Sequence, residues 1–129
     1  MFNQTGIKKV TGAAPVQILY NVQNQMSVSI VVDDAYFVTK DGHKIVPAGT
    51  PLSGDLTSRG TAFVKAADSS HPANGILLHD VDVTDGNANG TLLIWGFVNL
   101  DRVDSTTAAL VTATRKTELD GKIWFLKDN

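Results

Sequence analysis

The stretch that decides the fold is GILLHDVDVTDGNANGTLLIWGFV, residues 75–98, in which two apolar runs flank a polar segment that contains two glycines. This order is typical of a β-hairpin. In the first run, Val81 and Val83 alternate with aspartates, so this strand should have one buried and one solvent-exposed face. The second run is almost uninterrupted in apolar residues, so both of its faces should be covered. Gly96 near its end predicts a bulge or a close backbone contact.

Further strands are predicted on the N-terminal side of this hairpin. Short apolar, often β-branched runs predict them at residues 28–32, 36–39, 44–46 and 61–65. The second and third of these runs flank Asp41-Gly42, a dipeptide that favours a type I′ turn because glycine tolerates a positive φ. The sequence therefore predicts a second hairpin here.

The C-terminal side of the chain shows a different period. Residues suited to the buried side of an amphipathic helix recur at spacings of three, four and seven: Leu100, Val103, Thr107, Leu110, Val111 and Thr114. Asp104 or Ser105 can supply the N-cap oxygen, and Gly121 can serve as the residue that follows the helix. The apolar residues 123–126 predict a final strand. We therefore expect an α+β fold that is mostly β, with one late helix, in a single domain of residues 26–129.

Residues 1–25 differ from this domain. Asparagine and glutamine are frequent, glycines and a proline interrupt the apolar residues, and only residues 16–20 are compatible with a short strand. We interpret the segment as an extended N-terminal arm. It should be mobile in the free protein to about residue 20, because it cannot bury enough apolar surface to become ordered alone. The residues of this arm that we expect to contact a partner surface are Phe2, Ile7, Lys8, Lys9 and Val10.

Composition limits the partners of the chain. It has 129 residues, 43% hydrophobic and 19% charged, and a formal net charge of -2 with the two signs interspersed. Without a basic stripe, nucleic acid is not an expected partner, and without a run of about 18 apolar residues neither is a membrane. No apolar segment follows the two lysines near the N-terminus, so we expect no secretory signal. Cysteine is absent, which excludes disulfides and thiolate chemistry.

The sequence offers little for catalysis. It contains three histidines, His43, His71 and His79. Only His79 has an adjacent carboxylate, Asp80, but adjacent strand residues point to opposite faces and no Gly-x-Ser-x-Gly motif presents a nucleophile. Asp80 and Asp82 share a strand face, and the pair at 33–34 lies at a strand end. We interpret all four as solvated carboxylates rather than as the acid and base of a glycosidase.

A metal site is not expected either. Residues 80–86, DVDVTDG, contain acidic residues like those of a calcium loop, but the glycine is seventh rather than sixth and the twelfth residue is Thr91 rather than glutamate. No glycine-rich phosphate-binding motif is present. The sequence therefore predicts a protein that is not an enzyme, that has no cofactor or metal, and that acts by packing against other proteins.

Several features of residues 47–126 follow one another in an order that is found in a known family. They are Thr50-Pro51-Leu52, the polar Ser58-Arg59, residues 73–77, a long strand that ends in Gly96-Phe97-Val98, a helix, and the strand 123–126. In this order they resemble the head decoration proteins of lambdoid phages and the related capsid-decorating or head-fibre proteins of phages that infect Gram-positive bacteria. The segment from 75 to 83, continued at 95–100, is especially similar to the latter. Residues 26–46 add a hairpin-like segment that has no assigned counterpart.

The resemblance implies a compact, β-tulip-like fold and assembly as homotrimers. It also implies binding to the major capsid protein at three-fold or quasi-three-fold positions of the expanded head, with an N-terminal segment that becomes ordered on the capsid. We therefore expect a structural protein of the virion, made in the host cytoplasm, that stabilises the capsid from its exterior.

The alternative is a receptor- or carbohydrate-binding phage fibre module. Such a module would expose an aromatic platform in a groove. Trp95 and Trp124 lie in apolar runs and are predicted to be buried, which favours the structural protein.

Overall fold

The computed structural model describes residues 17–35 and 41–128. This part of the chain contains eight strands: β1 Met26–Val32, β2 Ile45–Val46, β3 Pro51–Ser53, β4 Val64–Lys65, β5 Gly75–Leu77, β6 Val81–Asp82, β7 Ala88–Asn99 and β8 Ile123–Leu126. A 3-10 turn at Leu100–Arg102 leads to two short helices, α1 Ser105–Ala108 and α2 Ala113–Glu118. With 37% strand and 12% helix, the expected α+β fold that is mostly β is confirmed.

Most of the strands form one sheet around β7. The order is β1-β7-β5-β3-β4 with antiparallel neighbours, and β8 pairs in parallel with the C-terminal part of β7. The hairpin predicted from residues 75–98 is confirmed where Ile76 and Leu77 pair with Leu93 and Leu92. The alternating part of its first run leaves this sheet, because β6 pairs with β2 as a separate two-stranded ladder.

Strand β7 lies between two hydrophobic clusters. Leu92 packs into one cluster and Leu93 into the other, and both are fully buried, so the middle of this run is covered on both faces as predicted. The first cluster contains Ile18, Leu19, Ala66, Ala73, Ile76, Leu78, Leu93, Val98, Val103, Leu119 and Ile123. The second contains Ile30, Val32, Val46, Leu52, Phe63, Leu77, Val81, Val83 and Leu92.

The turn at Asp41-Gly42 has the predicted backbone. The two residues have φ values of 54° and 80°, and a type I′ turn requires positive values at both of its central positions. Strand β2 follows this turn, as expected. The strand predicted at 36–39 lies outside the described residues.

The prediction of one late helix is wrong, because two short helices occupy this region. The N-cap is as expected, since a carboxylate oxygen of Asp104 accepts a hydrogen bond from the Thr107 amide at 3.3 Å. Helix α1 then ends after one turn. Thr112 adopts an extended backbone, and its hydroxyl accepts from the Arg115 amide as the N-cap of α2. A threonine hydroxyl that accepts a hydrogen bond from a backbone amide favours such a break between helices. The spacing of apolar residues does not indicate where this break falls.

The described part of the predicted arm, residues 17–25, contacts the domain closely. Ile18 and Leu19 are 1% and 2% exposed and belong to the first hydrophobic cluster. Leu19 forms an antiparallel bridge with Val98, and the Asn99 amide donates to the Ile18 carbonyl oxygen at 2.8 Å. Among residues 17–20, the strand predicted at 16–20 is therefore reduced to an isolated bridge at Leu19. The expectation of mobility to about residue 20 is wrong for Ile18 and Leu19, because both are buried in the core and are held to the end of β7 by backbone contacts.

A buried ion pair attaches α2 to the loop that precedes β5. Arg115 is 6% exposed, and its Nε lies 3.2 Å from Oε1 of Glu118. Nη1 of Arg115 donates to the carbonyl oxygens of Asp68 and His71 at 3.4 and 3.3 Å. Oε1 of Glu118 also accepts from the Ala73 amide at 2.7 Å. These bonds offset the cost of removing the two charges from water.

We expect Arg115→Met to lower the free energy of unfolding by about 2–3 kcal/mol, because the Glu118 carboxylate and two carbonyl groups lose a donor in a site with little water. Lys116→Met is a matched control, since Lys116 is exposed on the same helix, and it should change stability by less than about 0.5 kcal/mol. Chemical denaturation followed by circular dichroism measures both variants. Equal midpoints for the two would contradict a stabilising role of the ion pair.

Candidate functional site

The residues predicted to contact a partner surface, Phe2, Ile7, Lys8, Lys9 and Val10, lie outside the described residues. The described chain begins at Gln17, close to the C-terminal end of β7. There, Nη1 of Arg102 donates to the Gln17 carbonyl oxygen at 3.5 Å. Residues 1–16 are therefore connected to the domain at this end of the sheet.

The aspartates of residues 80–82 stabilise local structure. Oδ1 of Asp80 accepts from the Ala48 amide at 2.7 Å. Asp82 accepts from the hydroxyl and from the amide of Thr84, and these two bonds, the hydroxyl first, lower the pKa of Asp82. A carboxyl group with a lowered pKa is ionised at neutral pH and is a poor general acid. Both aspartates are exposed, as expected of solvated strand carboxylates.

The histidine–aspartate pair at His71 and Asp68 closes a turn. Nδ1 of His71 lies 3.0 Å from Oδ1 of Asp68, and both side chains are exposed. The side-chain hydrogen bond with His71 is the main cause that lowers the pKa of Asp68. The same carboxylate oxygen accepts from the amides of Ser70 and His71, as aspartates in turns commonly do. The geometry thus assigns His71 to a turn rather than to a catalytic pair.

Within residues 17–35 and 41–128, no group of three or more His, Cys, Asp or Glu side chains is placed to bind a metal ion. In the same part of the chain, no helix is long and apolar enough to cross a membrane.

Apolar side chains gather on one side of the sheet where β7 and β8 run together. We define the aromatic face as Tyr20, Met26, Trp95, Phe97, Trp124 and Leu126. Phe97 is partly buried, and the other five are exposed, from 37% for Leu126 to 58% for Met26. The prediction that Trp95 and Trp124 are buried is wrong, since 40% and 39% of their surfaces are exposed. The reason is that the second hydrophobic cluster covers this side of β7 only as far as Ile94.

Strand pairing brings the aromatic face together from three segments of the chain. Trp124 is the partner of Phe97 in the parallel β7–β8 ladder, and Met26 is the partner of Trp95 in the antiparallel β1–β7 ladder. The Tyr20 amide donates to the Phe97 carbonyl oxygen at 2.8 Å, which places Tyr20 beside β7 on the edge opposite to β8. The exposed leucine of β8 lies two residues after Trp124 and therefore on the same face.

Gly96 allows β7 to turn its aromatic residues outward. Leu93 and Val98 belong to the same hydrophobic cluster, although a separation of five residues would place them on opposite faces of a regular strand. A register shift next to Met26 and a φ of 154° at Gly96 account for the change. A Cβ atom at Gly96 would lie 3.3 Å from both Gln25 Cβ and Leu93 Cδ1. The bulge or close contact predicted at this glycine is confirmed.

We expect Gly96→Val to lower the free energy of unfolding by about 1–3 kcal/mol, through overpacking and through a backbone conformation that valine rarely adopts. Gly121→Val is the control, because Gly121 also has a positive φ, 77°, but among the described residues nothing beyond its chain neighbours lies within 4 Å of an added Cβ. The difference between the two variants in chemical denaturation gives the additional cost at Gly96, from its close neighbours and from its φ of 154°. No greater loss for Gly96→Val than for Gly121→Val would show that the strand has space at this position.

The segments that build the aromatic face carry no charge. No Asp, Glu, Lys, Arg or His lies between Lys9 and Asp33, between Asp85 and Asp101, or between Lys122 and Lys127. The whole chain has 11 Lys and Arg and 13 Asp and Glu, so its charges are concentrated in other segments. An uncharged surface of Trp, Tyr, Phe and Met is typical of the core of a protein–protein interface. Motif-based reasoning missed this face, and the charge-free gaps are the signal in the sequence that could have located it.

The aromatic rings do not form a flat platform. Phe97 and Trp124 are stacked, with centroids 5.2 Å apart and an interplanar angle of 26°. Trp95 stands edge-on to both, with centroids 5.8 and 5.9 Å away and interplanar angles of 74° and 81°. Both arrangements are favourable for aromatic pairs, and stacking covers one ring face of Phe97 and of Trp124. The cluster is therefore better suited to interdigitation with apolar side chains than to the stacking of a flat ligand.

No family model matches the sequence, and no curated protein is significantly similar to it.

Proposed function

We propose that this protein is a structural, non-enzymatic subunit that binds the outer surface of a phage head and stabilises the capsid. The observation that carries the proposal is the aromatic face. An exposed, uncharged aromatic cluster on a small β-rich domain is suited to association with proteins rather than to catalysis. The resemblance of residues 47–126 to phage head decoration proteins supplies the partner, which is the major capsid protein, and the location on the exterior of the virion.

The N-terminal arm supplies the capsid contact in this proposal. Phe2, Ile7 and Val10 pack against apolar groups of the capsid, and Lys8 and Lys9 meet acidic groups. A homotrimer carries three such arms, so that once one arm is bound the others bind at high effective concentration.

The alternative function, a receptor- or carbohydrate-binding fibre module, gains support from the exposure of Trp95 and Trp124. The ring geometry weighs against it, because Phe97 covers one face of Trp124 and Trp95 stands edge-on to both rings. These are the chain's two tryptophans, so their emission reports on the aromatic face. Soluble glycans should leave this emission unchanged, and a saturable shift with a glycan would favour the fibre module.

The test of the proposed function is co-sedimentation with expanded heads that were purified without this protein. We expect saturable binding with an apparent Kd of about 1 µM or tighter, three chains at each occupied three-fold position, and heads that resist heating better when decorated. Heads of an unrelated phage are the control and should not bind. A protein that stays in the supernatant with its own heads at about 10 µM would contradict the proposal.

A further inference from the structure

We infer that the aromatic face is the contact between copies of this chain, arranged around a symmetry axis that passes close to Phe97 and Trp124. The inference deepens the proposed function and rests on it in one respect, that the chain acts as an assembled subunit. The contact surface itself is identified by the exposure, the composition and the charge of the described residues.

Exposure and composition identify the aromatic face as an interface core. Strand pairing places Tyr20, Met26 and Leu126 beside the segments that carry the three aromatic rings, so these exposed apolar residues lie on one part of the sheet. Contiguous exposed apolar surface is uncommon on proteins that remain single, and it marks sites of association. Trp, Tyr, Phe and Met are the residues enriched in such sites, and rings that are not coplanar can interdigitate with those of a second copy.

The absence of charge indicates that the partner is a second copy. Around a symmetry axis each group meets its own counterpart, so any charge near the axis would face a like charge. A contact with a different protein has no such restriction, and such contacts commonly use complementary charges for specificity. The chain is rich in charges elsewhere, yet the segments that build the aromatic face have none. This distribution favours a symmetric contact between identical chains.

Two lysine substitutions of similarly exposed leucines test the inference. Leu126 lies on the aromatic face and is 37% exposed, whereas Leu56 lies between β3 and β4, which do not pair with β7 or β8, and is 38% exposed. Gel filtration with light scattering at about 100 µM, well above a micromolar Kd, should give a mass of more than one chain for the wild type and for Leu56→Lys. Leu126→Lys should weaken association at least about 1,000-fold and run as a single chain. Circular dichroism verifies that both variants are folded.

Dilution of the wild type provides a test without substitution. Both tryptophans lie on the aromatic face, so acrylamide quenching of their emission should increase over the concentration range in which the mass falls. Wild-type protein that is a single chain at about 100 µM, or that associates with quenching unchanged by dilution, would overturn the inference.

Opposite charges at one position test the symmetry of the contact. Leu126→Lys and Leu126→Glu should each remain single, because like charges meet near the axis, and an equimolar mixture should associate. A mixture that stays single while the wild type associates would overturn the symmetric contact.

Failure of this inference and failure of the proposed function give different experimental results. Chains that associate but do not bind heads would refute only the proposed function, and single chains that bind heads would refute only this inference.

Discussion

Replacing Gly75 with alanine should lower the free energy of unfolding by about 3 kcal/mol, at the upper end of the usual cost of overpacking. An added Cβ would lie 2.6 Å from the backbone carbonyl oxygen of Leu93 and 2.6 Å from Cγ of Leu92. Gly75 pairs with Leu52 of β3, and its neighbour Ile76 pairs with Leu93 of β7. Since β5 is held on both sides, it cannot move to relieve the clash with the Leu93 carbonyl group.

Gly60→Ala is the matched control for this substitution. Gly60 is exposed and has no positive φ, and within residues 17–35 and 41–128 no atom other than those of its chain neighbours lies within 4 Å of an added Cβ. The free energy of unfolding of the Gly60→Ala variant should change by less than about 0.5 kcal/mol. Any increase would come from the unfolded chain, because alanine has less conformational freedom there than glycine. Guanidinium denaturation followed by circular dichroism compares the two variants. If Gly75→Ala unfolds at the midpoint of Gly60→Ala, the close approach of β5 to β7 does not contribute to stability.

Deletion of residues 2–12 should weaken binding to phage heads about 100-fold or more while leaving the fold intact. The deletion removes all five arm residues that we expect to contact the capsid. In a trimer these contacts are lost from three arms at once, and the resulting decreases in the binding constant multiply. It stops before Ile18 and Leu19, which belong to the first hydrophobic cluster. The free energy of unfolding should therefore change by less than about 0.5 kcal/mol. Co-sedimentation with heads and chemical denaturation measure the two quantities.

The apolar and the charged contacts of the arm can be separated. Lys8→Ala with Lys9→Ala keeps the apolar side chains, and the binding that remains should depend less on salt than that of the wild type, because screening acts on charge pairs. Phe2→Ser with Ile7→Ser and Val10→Ser keeps both lysines and should weaken binding at all salt concentrations. Unchanged decoration of heads by the deletion variant would show that the arm is not the capsid contact.

The sequence alone determined the fold class and most of the local structure. Alternation at residues 80–83 predicted which valines are buried, Asp41-Gly42 predicted a turn with two positive φ values, and Gly96 predicted a tight position in β7. Each of these features depends on a residue and its immediate neighbours, since glycine permits backbone conformations that other residues avoid and strand side chains alternate with a period of two. The N-cap at Asp104 is also a local feature, because the aspartate side chain bonds to a backbone amide only three residues later.

Only the tertiary structure decided where β7 is covered, which strands pair, and which residues form the aromatic face. The same apolar run contains fully buried leucines and a tryptophan that is 40% exposed, because the second hydrophobic cluster ends at Ile94. Ile18 and Leu19 become buried because the segment pairs with the end of β7, which is distant in sequence. Burial and strand pairing depend on which segments of the chain pack against each other. A local pattern of apolar residues does not specify these partners.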